Sequence, residues 1–175
     1  YGRTVNIIAG KGNNGADGRV AGERLQARGV KVRVFDADGC PPTLPPADLV
    51  IDAAYGTGFH GTWKPPDVAG VPVLAVDVPS GVDALTGAVR GDVLAAIATV
   101  TLGAYKPGLL LAPGDGFAGA VQVAEIGLGV AAAERASAHL VQRADVAEWL
   151  PRREATAHKW RAAVRVVAGS PDMNG

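Results

Sequence analysis

Residues 4–15 constrain the fold more than any other stretch of this chain. Thr4-Val5-Asn6-Ile7-Ile8-Ala9 is a short β-rich run, apolar on both faces toward its end, as in a strand buried between two layers. It stops at Gly10-Lys11-Gly12-Asn13-Asn14-Gly15-Ala16-Asp17-Gly18, a Gly/Asn turn. From 17 to 28 the pattern turns helical, with Val20, Ala21, Arg24, Leu25 and Arg28 recurring at three and four and Gly29 as the stop. A second strand is predicted over 30–35, where Val30, Val32 and Val34 alternate with Lys31 and Arg33. Strand, tight turn, helix and strand in that order make a parallel βαβ unit.

Further β-rich runs follow at 48–53 (DLVIDA), 72–77 (PVLAVD), 98–103 and 120–126. The predicted fold class is therefore α/β: a Rossmann-like, doubly wound, mostly parallel sheet in three α/β/α layers. The connections after the third and fourth strands read as loop rather than helix. Pro41, Pro42, Pro45 and Pro46 stiffen the loop before the third strand.

Composition narrows the function classes. Hydrophobic residues are 48% of the 175, enough for a real core, and Lys+Arg and Asp+Glu are both 17. A neutral chain lacks the basic footprint of a nucleic-acid binder. The lone Cys40 excludes a disulfide framework and any multi-Cys zinc site. The apolar run at 94–105 is too short to span a bilayer, and no signal peptide opens the chain, so a cytoplasmic protein without membrane partners is expected. The first residue is Tyr1, not Met, which suggests a fragment.

Gly10, Gly12 and Gly15 fit G-x-G-x-x-G, and Asp36 closes the second strand about 20 residues on, the context of a dinucleotide-binding turn. Two details argue against an ordinary dehydrogenase. The turn carries paired amides, Asn13 and Asn14, and it carries Asp17 at the expected helix start, where the positive dipole end would rather face phosphate. The plainer readings are a tight strand-to-helix turn, with Asp17 as a first-turn cap.

Asp52 and Asp77 close the third and fourth strands, so with Asn13 and Asn14 they fall on the carboxyl edge, where ligands bind in open parallel sheets. A carboxylate inside an apolar run needs a partner, a metal or a function; each could also cap its own turn by an Asx hydrogen bond. Two polar loops follow: Gly56-Thr57-Gly58-Phe59-His60-Gly61-Thr62, able to offer N–H groups to an anion, and Asp77-Val78-Pro79-Ser80-Gly81-Val82-Asp83, with a hydroxyl three residues after the carboxylate. Amide, carboxylate and hydroxyl oxygens suit a hard cation, and so few charges suit a monovalent one. His60, His139 and His158 show no metal spacing and read as surface or loop residues.

The run GKGNNGADGRVAGERLQARG resembles the signature of the NAD(P)H-hydrate epimerases, and DLVIDAAYGTGFHG, VLAVDVPSGVDALTG, TVTLGAYKPGLL and VQVAEIGLG follow in that family's order. The resemblance spans about 4–129. The tail from 151 is similar to the start of an ADP-dependent NAD(P)H-hydrate dehydratase. The domain organisation it implies is an epimerase domain over 1–129 lacking its N-terminal helices, a linker over 130–150, and a truncated dehydratase start over 151–175. The implied activity is epimerisation of the R and S forms of NADHX or NADPHX, reduced nicotinamide nucleotides hydrated at C6, so that a stereospecific dehydratase can use both.

Carried over by motif, Asn13, Asn14, Gly15, Ala16, Asp17, Gly56, Thr57, Gly58, Phe59, His60, Gly61 and Thr62 would bind the hydrate. Asp77 would both bind it and act as the catalytic residue. Asn14, Asp52 and Ser80 would hold K⁺, one per subunit. ADP or ATP would serve only the missing dehydratase part, and a homo-oligomer is possible. The C6 hydroxyl sits on a carbinolamine; its loss gives a nitrogen-stabilised cation that water can re-enter from either face. A carboxyl raised by partial burial could act as both acid and base. Lys106, in the Tyr-Lys-Pro-Gly loop, reads equally as an electrostatic helper, a phosphate holder or a solvated surface lysine. Ala16 departs from the third Gly-like residue usual in the family. The alternatives are a non-catalytic Rossmann-like module that binds nicotinamide nucleotides, and an NAD(P) dehydrogenase, for which no Tyr-x-x-x-Lys or His–Asp pair is present.

Overall fold

The computed structural model describes residues 3–129, 134–150 and 155–156. In chain order its elements are β1 (Thr4–Ala9), α1 (Asn13–Gln26), β2 (Lys31–Asp36), β3 (Leu49–Ala53), β4 (Val73–Val76), β5 (Ala98–Leu102), α2 (Asp115–Ala118), β6 (Ala120–Ala124) and α3 (Arg143–Trp149). The six strands form one all-parallel sheet in the order β2-β1-β3-β4-β5-β6. The chain runs outward from β1 to β2 and returns past β1 to β3. The strand order therefore reverses between β1 and β3, the switch point where such sheets open a crevice at their carboxyl edge.

Both faces of the sheet are covered. On one, Val5, Ile7, Ala9, Ile51 and Ala53 pack with Leu25 and Val30. On the other, Ile8, Val50, Val73 and Ala75 pack against Ala37, Leu44, Ala54, Trp63 and Ala96. That second layer is built largely from loop segments, in keeping with the proline-rich sequence before β3. The chain divides into two compact units, 1–135 and 136–175. The division falls a few residues beyond the boundary expected at 129. The strand expected over 163–168 lies outside the described residues. In the second unit Gln142 and Asp145 form a reciprocal cap at the start of α3.

Helix α1 corrects the sequence reading in two respects. It begins at Asn13, four residues before the expected start, so Asn13, Asn14 and Gly15 of the Gly/Asn run are in its first turn. Its buried face is Gly15, Gly18 and Gly22, while Val20 is half exposed. Glycine replaces apolar side chains on that face because the helix lies almost on the strands: a Cβ at Gly18 would sit 2.5 Å from Ala53 Cβ, and one at Gly22 3.0 Å from Ile7 Cδ1. Asp17 consequently lies in the second turn, exposed, rather than acting as a cap.

Candidate functional site

The carboxyl edge of the sheet opens into a cleft of about 690 Å³. Its first wall is the start of α1. Gly12 is the N-cap and offers no side-chain cap, and no acidic residue stands in the first turn, so the leading N–H groups and the positive dipole end face the cleft. That wall is held by close backbone contact. A Cβ at Gly15 would lie 1.9 Å from Gly10 O, and one at Gly10 1.9 Å from Ala54 O. Only glycine lets α1 start so near the ends of β1 and β3.

The second wall is the 54–60 loop after β3. Tyr55 stacks on Phe59 with ring centroids 4.1 Å apart and meets Trp63 edge-on at 5.6 Å. The Tyr55 hydroxyl donates to Asp38 Oδ1 at 2.9 Å, and Lys11 Nζ lies 2.8 Å from Asp38 Oδ2. Burial, with the Asp38 carboxylate beside it, pushes the Tyr55 phenol up to about 12. Gly56 lies between two side chains of the cleft: a Cβ there would meet Asp77 Oδ2 at 3.3 Å and Asn14 Cγ at 3.4 Å.

Behind this loop is a buried polar knot. Asp52 is fully buried and accepts three hydrogen bonds: from Ser80 N at 2.8 Å, Ser80 Oγ at 2.6 Å and Ala54 N at 3.2 Å. The contact to Ala54 N is the Asx turn that the sequence allowed. Tyr55 N donates to Ser80 Oγ at 2.9 Å, tying the knot to the second wall. Burial pushes the Asp52 carboxyl above its ordinary range, partly offset by the Ser80 and Ala54 hydrogen bonds. The amide oxygen and nitrogen of Asn14 are both buried without a hydrogen-bond partner. A buried amide in this state needs a ligand or solvent to satisfy it.

Asp77 follows β4 at φ +70°, the left-handed region that non-glycine residues rarely enter. Val78 N donates to Val76 O at 2.9 Å, so Asp77 is the middle of a tight γ-turn of the strained, φ-positive kind. Next door, Ala104 N donates to Leu102 O at 3.0 Å around Gly103 at φ +77°. The same turn thus ends two adjacent strands, with glycine in one and aspartate in the other. Such strain, about 1–3 kcal/mol, gathers where function requires it. Asp77 Oδ1 accepts from Lys106 Nζ at 2.6 Å and Leu102 N at 3.2 Å, with Thr101 Oγ1 at 3.4 Å. Lys106 is only 17% exposed along its side chain, which removes the solvated-lysine reading.

The family model described as YjeF-related protein N-terminus matches residues 1–42 and 36–108. The chain belongs to this family. The chain is also similar to a bifunctional NAD(P)H-hydrate repair enzyme of Moorella thermoacetica, 35% identical over 99% of this chain and 41% of that protein. An NAD(P)H-hydrate epimerase of Limosilactobacillus fermentum is 35% identical over 68% of this chain and 73% of its own length. The chain thus spans less than half of the bifunctional relative. The crystal structure of the yeast protein ynu0 shares the fold, with a TM-score of 0.51 at 24% identity over 61% of this chain and 60% of that one.

Of the residues that the family resemblance singled out, Asn13, Asn14, Asp17, Gly56, Thr57, Gly58, Phe59, His60 and Asp77 line the cleft. Gly15 is on the buried face of α1, and Ala16, Gly61 and Thr62 are not in the lining. Asp52 and Ser80 are the buried knot behind it. Asp36, the acid of the dinucleotide pattern, is held by Arg19 at 2.6 Å and is not in the lining. Lys11, Asp38, Tyr55 and Leu102 also line the cleft and were not anticipated. Tyr55 had a signal, an aromatic directly after a carboxyl-edge strand; Asp38 had none, because its role depends on how the turn after β2 folds back. His139 pairs with Asp145 at 3.1 Å, and His158 lies outside the described residues. No described helix is long and apolar enough to cross a membrane.

Proposed function

We propose that this chain epimerises C6-hydrated NADH or NADPH, interconverting the R and S hydrates. The observation that carries the reading is Asp77: a carboxylate at the cleft wall, in a strained turn, with Oδ1 occupied by donors while no described residue donates to Oδ2. A module that only bound nucleotide would have no use for a strained carboxylate with one free oxygen. The names of the relatives support the same activity.

The chemistry follows from the substrate. The C6 hydroxyl departs as water when Asp77 supplies a proton, and the ring nitrogen lone pair stabilises the resulting cation. The Asp77 carboxylate then faces that cation and stabilises it electrostatically. Water returns to either face and gives its extra proton back to Asp77, so no proton is gained or lost over the cycle. The α1 wall, with its uncapped N–H groups and Lys11, suits the phosphates of a dinucleotide. The Tyr55–Phe59 stack suits a flat ring.

The donor set also fits K⁺. Asn14 has an unsatisfied buried amide oxygen, and Asp52 and Ser80 bring a buried carboxylate and a hydroxyl. Asn14, Asp52 and Ser80 are the residues that would hold the ion. When bound, K⁺ would supply a fixed positive charge that offsets the buried Asp52 carboxylate. A dehydratase function, using ADP or ATP, would belong to a longer protein of the bifunctional kind.

The test is interconversion of resolved R and S hydrates in ¹⁸O-water. Each inversion should place one solvent oxygen at C6. Inversion with the original oxygen retained would refute departure and return, and no inversion would refute the activity.

A further inference from the structure

Lys106 is not in the lining of the cleft, yet it is mostly buried and bonded at both ends of one small unit. Its Nζ donates to Asp77 Oδ1 and to Leu102 O, each at 2.6 Å. Leu102 N donates to the same Oδ1 at 3.2 Å. The Leu102 peptide, the Lys106 ammonium and one oxygen of Asp77 therefore close a ring around the end of β5. The contact from Thr101 Oγ1, at 3.4 Å, is too long to add much. The other oxygen, Oδ2, is turned toward Gly56, 3.3 Å from where a Cβ there would stand. The two oxygens of one carboxylate are thus in different surroundings: Oδ1 is anchored to protein, and Oδ2 faces the substrate side.

We infer that Lys106 is a positioning residue for Asp77, and that Asp77 exchanges protons through Oδ2 alone. The inference rests on the epimerase reading. Lys106 acts through Asp77 rather than on the substrate. With the backbone of Asp77 already fixed by its γ-turn, the remaining freedom is rotation of the carboxylate, and the Lys106 clamp removes it. Misplacing a reacting group by about 1 Å is enough to cost on the order of 10²-fold in rate. A lysine with this role controls turnover and leaves substrate affinity alone.

The experiment compares wild type, Lys106→Met, which keeps the stem and loses the donor, and Lys106→Arg, which keeps a charged donor, in the hydrate interconversion assay. Lys106→Met should lower kcat about 10²-fold with KM within threefold of wild type. Lys106→Arg should recover most of that loss. If Lys106→Met does not fold, Lys106→Gln takes its place with the same expected split. A Met or Gln variant within threefold of wild-type kcat overturns the role. So does a loss that appears in KM, or that accompanies a lowered melting temperature and is not recovered by arginine, because that is a structural lysine. A wild type that does not turn over the hydrates overturns the epimerase reading and this role together, whereas an active wild type with an active Lys106→Met overturns this role alone.

Discussion

Replacing Gly15 by alanine sets two physical effects against each other. Alanine is the better helix former, and a glycine inside a helix is worse by roughly 0.5–1 kcal/mol. Propensity alone therefore expects stabilisation. The packing argues the reverse. The added methyl would lie 1.9 Å from Gly10 O, 2.5 Å from Gly10 C and 2.7 Å from Gly10 N, all main-chain atoms that no rotamer change can remove. Relief requires α1 to lift by roughly 1 Å, and a gap of that size forfeits a quarter to a half of each dispersion contact it opens. Gly18 and Gly22 lie on the same face of α1, against Ala53 and Ile7, so their contacts are lost together. Overpacking of this kind costs about 1–3 kcal/mol. We expect Gly15→Ala to be net destabilising by about 1–2 kcal/mol in urea or thermal melts, and to reduce turnover because the first wall of the cleft moves with the helix. Gly116→Ala is the control: it lies in α2 with open space at its Cβ and should stabilise by roughly 0.5–1 kcal/mol. A Gly15→Ala protein as stable as wild type, or more so, would refute the close-contact account of α1.

Three further outcomes are expected. Asp77→Asn should fold and lose on the order of 10²–10⁴-fold in interconversion of the hydrates, measured by chromatography of the two epimers. Asp52→Ala leaves Ser80 N, Ser80 Oγ and Ala54 N without their acceptor; it should lose about 3 kcal/mol in denaturant melts and abolish any dependence of turnover on K⁺ over Na⁺. The Tyr55 phenol should ionise near pH 12 in a difference titration of wild type against Tyr55→Phe, read from tyrosinate absorbance. Because the native state keeps this proton above the ordinary tyrosine value of about 10 and the unfolded state does not, its contribution to stability is whole below that value. It is lost as pH rises toward 12.

The central strands β1 and β3 were legible because parallel strands buried on both faces are near-continuous apolar runs, the edge strand β2 was legible from its alternation, and each of the six lies within a residue or two of its expected span. Asp52 and Asp77 could be placed on the functional edge for the same reason, as carboxylates interrupting such runs. The start of helix α1 was misplaced because the usual signal is apolar periodicity, and here the packed face carries glycine at 15, 18 and 22 and an apolar side chain only at Leu25. The Asp77–Lys106 pair was beyond reach: the two residues are 29 positions apart, and they meet only because β4 and β5 are neighbours ending in matched turns. That pairing supplies the partner which a carboxylate closing an apolar run requires, an ammonium 2.6 Å from Oδ1.

The cleft has one wall whose position is set by main-chain contact and one that is an open loop, and this divides what selection or engineering can alter. At Gly10 and Gly15 the backbones are already in contact, so no larger residue can enter and the width on that side is set. Across the cleft, Thr57, Gly58 and His60 are exposed on a loop, and nothing lies within 4 Å of a Cβ at Gly58. Positions 57–60 are therefore where the range of molecules that this scaffold accepts can be changed without moving main chain. Variant libraries placed there search substrate preference without disturbing the sheet, whereas the same diversity at Gly10 and Gly15 has to displace main chain.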